Sequence, residues 1–126
     1  MKQAATKSIK LYYFDVYARG DPIRMLLHTA NVDFEDVRFS MPGFKELKEK
    51  RPELMEFGQV PVLEAPFLPG GEVGYFAQSQ SISRLLGKRY KNDKGLPYYP
   101  EDTIEAWKVD STIDQSRDLQ EKYWDV

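Results

Sequence analysis

The sequence predicts an α/β domain built as a βαβ unit, a helix and a ββα unit, followed by a linker and one more helix. Three observations predict it. Short runs rich in aromatic and β-branched residues alternate with runs of helical period. Proline and glycine clusters separate those runs where loops belong. The chain of 126 residues is 41% hydrophobic and 13% aromatic, enough for one compact core and too much for a disordered segment.

Residues 9–14 are aromatic and β-preferring and read as a first strand. Asp21-Pro22 marks a helix start, since Asp can cap free N–H groups and Pro suits the first helical position. Ile23, Leu26, Leu27 and Ala30 then recur at helical spacing on one face. Asn31 is a suitable stop. Residues 34–39 alternate apolar and charged and read as a second strand. A strand, a helix and a strand make a parallel pair with a right-handed crossover.

Pro42-Gly43 is expected to break the chain. Residues 44–50 are helix-like but highly charged, and Pro52 interrupts them. Residues 60–63 and 73–76 read as the third and fourth strands. The turn-rich segment 65–71 between them implies an antiparallel hairpin with a long loop. Residues 79–90 form a helix with Ile82, Leu85 and Leu86 on one face. This order of elements is that of the thioredoxin fold. The polar segment 91–100 suits a linker. Residues 101–124 form a last helix whose apolar side chains, among them Ile104, Trp107, Leu119, Tyr123 and Trp124, make no single narrow stripe. Such a helix is suited to neighbours on more than one side.

Composition excludes several function classes. A net charge of −2 provides no basic field for nucleic acid. No apolar run approaches the roughly 20 residues of a membrane span. The absence of cysteine removes disulfides, thiolate metal sites and thiol nucleophiles, and the one histidine, His28, has no second ligand at i+4, so no metal is expected. His28 reads as structural. The first ten residues carry Lys2, Lys7 and Lys10 but no apolar stretch of a secretory signal, which points to a solvated N-terminus and a cytoplasmic protein.

In a thioredoxin fold the first helix aims its N-terminus, with free N–H groups, at the site. Redox members place a cysteine there; this chain has Tyr13 at the end of the first strand and Arg19 before the helix. Leu11 and Tyr13 share a strand face and Tyr12 points opposite, so Tyr12, and with it Tyr17, are expected to be packing residues. Val60 precedes Pro61, with Gln59 beside it. Gln78-Ser79 opens the later helix, with Ser79 as its N-cap and a helix N-terminus able to take a carboxylate.

Three stretches carry a resemblance. They are Lys10-Leu-Tyr-Tyr-Phe-Asp-Val-Tyr-Ala-Arg19-Gly-Asp-Pro, Phe57-Gly-Gln-Val-Pro61-Val-Leu and Ala77-Gln-Ser-Gln-Ser-Ile82. In this order they resemble the glutathione-binding half of cytosolic glutathione transferases of the tyrosine type, closest to the sigma class. The resemblance implies a thioredoxin-like glutathione-binding domain over residues 1–90. It implies a linker and the first helix of an all-α domain over residues 91–126.

The resemblance also implies roles. Tyr13 would be the catalytic tyrosine and Arg19 would add positive potential beside it. Pro61 would be a cis-proline that presents the backbone of Val60 to the cysteinyl part of glutathione, with Gln59 in reach. Gln78 and Ser79 would hold the γ-glutamyl carboxylate. Phe44 stands where the family has a tryptophan and keeps the aromatic wall without the indole donor. Lys48 matches a lysine that meets the glycyl carboxylate. Asp118 matches an acid that reaches the γ-glutamyl ammonium in the partner subunit. Phe57 stands where related transferases present an aromatic key to a second copy. Partners implied are glutathione as co-substrate and a second copy of the chain or a larger assembly.

The implied chemistry is simple. A thiol of pKa about 8.5 meets a phenol that stays protonated and donates to the thiolate. Lowering the thiol by two units needs about 2.7 kcal/mol. A charge-assisted hydrogen bond of roughly 1.5–3 kcal/mol and a helix N-terminus of roughly 0.3–1 kcal/mol supply that. The thiolate would attack an electrophilic organic substrate. The alternative is a non-catalytic thioredoxin-fold module in a larger assembly. Such a module has no need of Tyr13, Arg19, Gln59, Pro61, Gln78 and Ser79 together. A glutaredoxin-like oxidoreductase fails for want of cysteine.

Overall fold

The computed structural model describes residues 8–124, the last of them by its backbone alone. The reading of the first residues as a solvated terminus, and that of the Trp124 side chain, lie outside the described residues. The chain forms two compact units, Met1–Leu86 and Gly87–Val126.

In the first unit, β1 (Lys10–Phe14) leads through a bend into α1 (Asp21–Thr29) and on to β2 (Glu35–Phe39). Next come α2 (Met41–Lys50) and a short 3-10 turn, Pro52–Leu54. Then β3 (Val62–Ala65) and β4 (Gly74–Ala77) form a hairpin that leads into α3 (Ser79–Arg89). The sheet order is β2-β1-β3-β4. The β1/β2 pair is parallel and the β1/β3 and β3/β4 pairs are antiparallel. This is the mixed sheet of the thioredoxin-like fold.

Alternation along β1 sorts the core onto two faces. Leu11 lies opposite Leu63 in the ladder, and Tyr12 opposite Val62. Tyr12, Val62 and Leu54 pack together on one side, with Val37, Leu47, Met55 and Val60 around them. On the other side Leu11 and Leu63 are completely buried, as are Ile23 and Leu27 of α1 and Ile82 and Leu86 of α3. Each such aliphatic side chain stabilises the fold by about 1.5–3 kcal/mol relative to exposure. The Tyr12 hydroxyl donates to Glu64 at 3.0 Å. Burial, and then the Glu64 carboxylate, push its pKa up to about 12, so this phenol is a neutral packing group.

Several local expectations are corrected. Asp21 does not cap α1: Gly20 occupies the cap without a side-chain bond, and the Asp21 carboxylate receives Arg24 at 3.1 Å instead. An acid in the first turn still favours the helix through its dipole. Pro42-Gly43 does not break the chain but lies within the first turn of α2. Ser40 takes the cap position with extended backbone. Pro42 needs no N–H partner in that turn, and Gly43 passes so close to Phe39 that an added Cβ would lie 3.0 Å from the Phe39 Cβ. β3 begins at Val62, two residues later than expected, because Pro61 has no N–H for the ladder. β4 starts one residue later than expected. Tyr17 is not a packing residue. It is 92% exposed, because the bend after β1 carries it out of the pleat. Asn31 does end α1 as expected, with φ 56°, and the exposed His28 stacks edge-on against Phe34.

In the second unit, Tyr99 folds back on Gly87, its N–H donating to the Gly87 carbonyl at 2.8 Å. An added Cβ at Gly87 would lie 3.1 Å from the Tyr99 Cβ. The Tyr99 hydroxyl reaches Asp110 at 2.7 Å on α4 (Thr103–Trp124). Asp102 caps α4, accepting from the N–H groups of Ile104 and Glu105. Ile104, Trp107, Leu119 and Tyr123 stand exposed along it, consistent with the absence of a narrow apolar stripe. Among the described residues, no helix is long and apolar enough to cross a membrane.

Candidate functional site

The site forms where β1 ends, where β3 is about to begin and where α3 starts. Tyr13 is 6% exposed and points away from Tyr12, as the strand period requires. Its hydroxyl oxygen accepts the backbone N–H of Arg19 at 3.1 Å. The bend can close this tightly only because Gly20 has no side chain: an added Cβ would lie 2.5 Å from the Tyr13 Cδ2. Gly20 is a site residue that sequence reasoning missed. Its φ is −79°, so room for the ring, and not backbone freedom, is what demands glycine.

A cleft of about 290 Å³ opens beside Tyr13, with Phe14, Arg19 and Phe44 around it and Gly58, Gln59 and Val60 as the opposite wall. A narrower recess continues from Arg19, Gln59 and Val60 to Pro61, Gln78 and Ser79. Because the two share three residues, they form one groove. The groove brings together Tyr13, Arg19, Phe44, Gln59, Val60, Pro61, Gln78 and Ser79. The Val60–Pro61 peptide is cis. Lys48 stands at the edge, its Nζ 4.8 Å from the centre of the Phe44 ring. Asp118 belongs to the second unit and is exposed on α4.

One predicted role changes. Ser79 is not the N-cap of α3. The Ile82 N–H donates to the Gln78 carbonyl at 2.9 Å, so Gln78 holds the cap position. Gln78 has φ 74°, a left-handed conformation uncommon outside glycine. The chain leaves β4 at Ala77 and enters α3 at Ser79, and this single left-handed residue makes the turn. Strained residues of this kind collect at functional sites. The first turn of α3 has N–H groups without intrahelical acceptors, and its dipole favours an anion.

A second cavity, about 730 Å³ in volume, lies at the ends of β1 and β2. Its walls include Phe14, Val16, Phe39 and Met41, with Asp15 and Arg38 among them. Phe14 lines both this cavity and the Tyr13 cleft. Its ring meets Tyr13, Phe39 and Phe44 edge-on at 5.7, 5.2 and 5.1 Å between centres. The aromatic run of β1 was legible in the sequence, but this dividing role of Phe14 was not.

Arg24 was also missed. It is 4% exposed and bonded to Phe14, Val16, Asp21 and Asp36. The signal available was an arginine on the apolar face of α1, one residue after Ile23.

No family model matches the chain. Over 110 residues it is 38% identical to glutathione S-transferase 1 of Ascaris suum, covering 87% of this chain and 46% of that one. Its homologues are glutathione S-transferases. The chain spans about half the length of the curated transferases it matches. Among solved structures, the sigma-class transferase of Fasciola hepatica superposes with a TM-score of 0.71 at 32% identity, over 90% of this chain and 49% of that one. A monomeric glutathione S-transferase of the hookworm Necator americanus superposes with a TM-score of 0.69 at 28% identity, over 94% of this chain and 54% of its own. The fold is therefore that of the thioredoxin-like N-terminal domain of glutathione transferases with part of a helical region after it.

Proposed function

We propose that the chain binds glutathione in the groove from Tyr13 to Ser79 and holds its thiol as the thiolate, as a tyrosine-type, sigma-like glutathione transferase or the N-terminal portion of one. One observation carries this reading. The Tyr13 oxygen already accepts the Arg19 N–H at 3.1 Å, while the side chain lines the cleft. A phenol whose oxygen is engaged by a backbone donor keeps its own hydrogen to give. Donated to a thiolate, that hydrogen bond favours the charged sulfur and lowers the thiol pKa.

The rest of the groove supports the pose. The backbone of Val60 pairs with the cysteinyl part of the peptide as an added strand would. Gln78 and Ser79, at the start of α3, take the γ-glutamyl carboxylate. Phe44 and Lys48 take the glycyl end, and Gln59 reaches the peptide from the side. Arg19 adds positive potential near the sulfur. The neighbouring cavity beyond Phe14 is walled by Phe14, Val16, Phe39 and Met41 with Asp15, Arg38 and Ser40 beside them, which suits a largely apolar electrophile with a polar group. On thiol ionisation the proton leaves to water. The sulfur then forms its bond to the electrophilic carbon, and that carbon releases either a leaving group as its anion or the π pair of an activated double bond, which takes a proton from water.

On the same reading residues 1–90 are the glutathione-binding domain and residues 91–126 the linker and first helix of the helical one. The protein works in the cytoplasm as a two-fold dimer, in which Phe57 is the aromatic key. Phe57 is 55% exposed, which supports a contact of that kind. Asp118 then reaches the ammonium of the glutathione held by the partner copy.

Calorimetric titration with millimolar reduced glutathione, paired with a thiolate absorbance titration, tests the proposal. The expected result is saturable heat and a bound thiol that ionises about two units below free glutathione. No heat and no chemical-shift change rejects glutathione binding. Binding with an unshifted thiol leaves a binding module and rejects catalysis.

A further inference from the structure

Arg24 is the one charged side chain among the described residues that is buried within the core, 4% exposed. Its Nη2 donates to the carbonyl of Phe14 at 3.1 Å and its Nη1 to that of Val16 at 3.4 Å. Nη1 also meets Asp21 at 3.1 Å, and Nε meets Asp36 at 3.0 Å. The guanidinium carbon lies 5.5 Å from the centre of the Tyr13 ring. Burying a charge is costly, and an apolar side chain of similar volume often serves stability as well or better. Filling space therefore does not explain a guanidinium here.

Its acceptors do. The carbonyls of Phe14 and Val16 flank Asp15, so one planar fork clamps both sides of the bend that leaves β1. Further along that bend comes Arg19, whose N–H engages the Tyr13 hydroxyl. We propose that Arg24 is a positioning residue for thiol activation, holding the Phe14–Arg19 bend so that the Arg19 N–H stays on the Tyr13 oxygen and the Tyr13 hydrogen stays turned to the sulfur. The proposal rests on the reading of the groove as a glutathione site.

The charges around it show which effect matters. Asp21 from α1 and Asp36 from β2 both face the guanidinium. Asp36 also meets Arg38 at 2.8 Å, and Arg38 meets Asp15 at 2.9 Å. Arg19 lies in the bend and Lys48 on α2, at the edge of the groove. Two carboxylates on one guanidinium offset most of its field at the ring. Holding the bend is then the larger contribution.

Arg24→Lys tests the idea, since it keeps the charge but has no planar fork for two carbonyls and two carboxylates. Two readouts are taken on the full chain. Amide hydrogen exchange at Arg19 in the free protein reports the hold on the bend, and a thiolate absorbance titration with reduced glutathione reports activation. The expected result is exchange at Arg19 faster by about tenfold, a bound thiol pKa raised by about one unit, and glutathione affinity nearly unchanged. Leu27→Ala is the control, a core variant of α1 that leaves the bend alone; the same rise in thiol pKa there would reduce Arg24 to a structural role and overturn the proposal. Unchanged exchange at Arg19 also overturns it, as does faster exchange with an unchanged thiol pKa when the wild-type thiol is shifted. If the wild-type thiol is not shifted at all, the glutathione reading fails separately, and exchange at Arg19 still decides the clamp. Should Arg24→Lys fail to fold, Asp36→Asn removes one arm of the clamp and is judged by the same two readouts.

Discussion

Gly20 and Tyr13 are in such close contact that a single methyl group on Gly20 would sit 2.5 Å from the tyrosine ring. The glycine thereby sets where the ring lies, and through the N–H of the preceding residue, Arg19, where the hydroxyl lies. A residue with no side chain thus has a part in placing its neighbour.

Gly20→Ala is expected to push the Tyr13 ring out of place. Overpacking of this kind costs about 1–3 kcal/mol, so the urea midpoint should fall without a change in slope. The bound glutathione thiol should also ionise at higher pH than in wild type. A variant with wild-type stability and a wild-type thiolate titration would remove Gly20 from the site.

Tyr13→Phe removes only the donor. The fold and glutathione affinity should stay close to wild type, and the bound thiol pKa should rise by about one to two units, the equivalent of one charge-assisted hydrogen bond. The loss then appears in turnover more than in binding. A thiolate titration that superimposes on the wild type contradicts the assignment.

Tyr12 provides a pH signature unrelated to the groove. Burial and Glu64 raise its pKa from 10.0 to about 12, so the folded state keeps this proton where the unfolded state has lost it. The resulting stability is fully present below pH 10 and is lost as pH rises from about 10 through 12. Denaturant unfolding at a series of pH values should show that decline, and Tyr12→Phe should flatten it. Equal slopes in the two proteins would show that Tyr12 is not responsible.

Assembly is predicted to be dimeric. Phe57 is exposed in the first unit, and Trp107 and Tyr123 are exposed in the second; exposed aromatics of this kind mark interfaces. Sedimentation equilibrium should give twice the chain mass at tens of micromolar, and Phe57→Ala should shift the equilibrium towards the monomer. A well-folded monomer with Trp107 fluorescence fully quenchable rejects the interface and the role proposed for Asp118.

Most of the fold and much of the groove were legible in the sequence, because both rest on short-range signals. The strand period separated Tyr13 from Tyr12, helical spacing marked Ile23 and Leu27, and Asn31 ended α1 where such a residue can adopt a positive φ. The three stretches that line the groove are each local, a strand end, a residue before proline and a helix start, so their place in the fold was written in neighbouring residues. What the tertiary structure alone decided depends on approach in space. That Gly20 must be small, that Arg24 clamps two carbonyls, that Phe14 divides two cavities and that Tyr17 faces water all follow from how the bend after β1 sits on α1 and β2. Asp21 lost its capping role to a local effect: the cap of α1 falls one residue earlier, at Gly20, and Arg24, three residues on, takes the Asp21 carboxylate. Close packing is a property of the assembled core, and no run of neighbouring residues encodes which distant side chain will fill a given space.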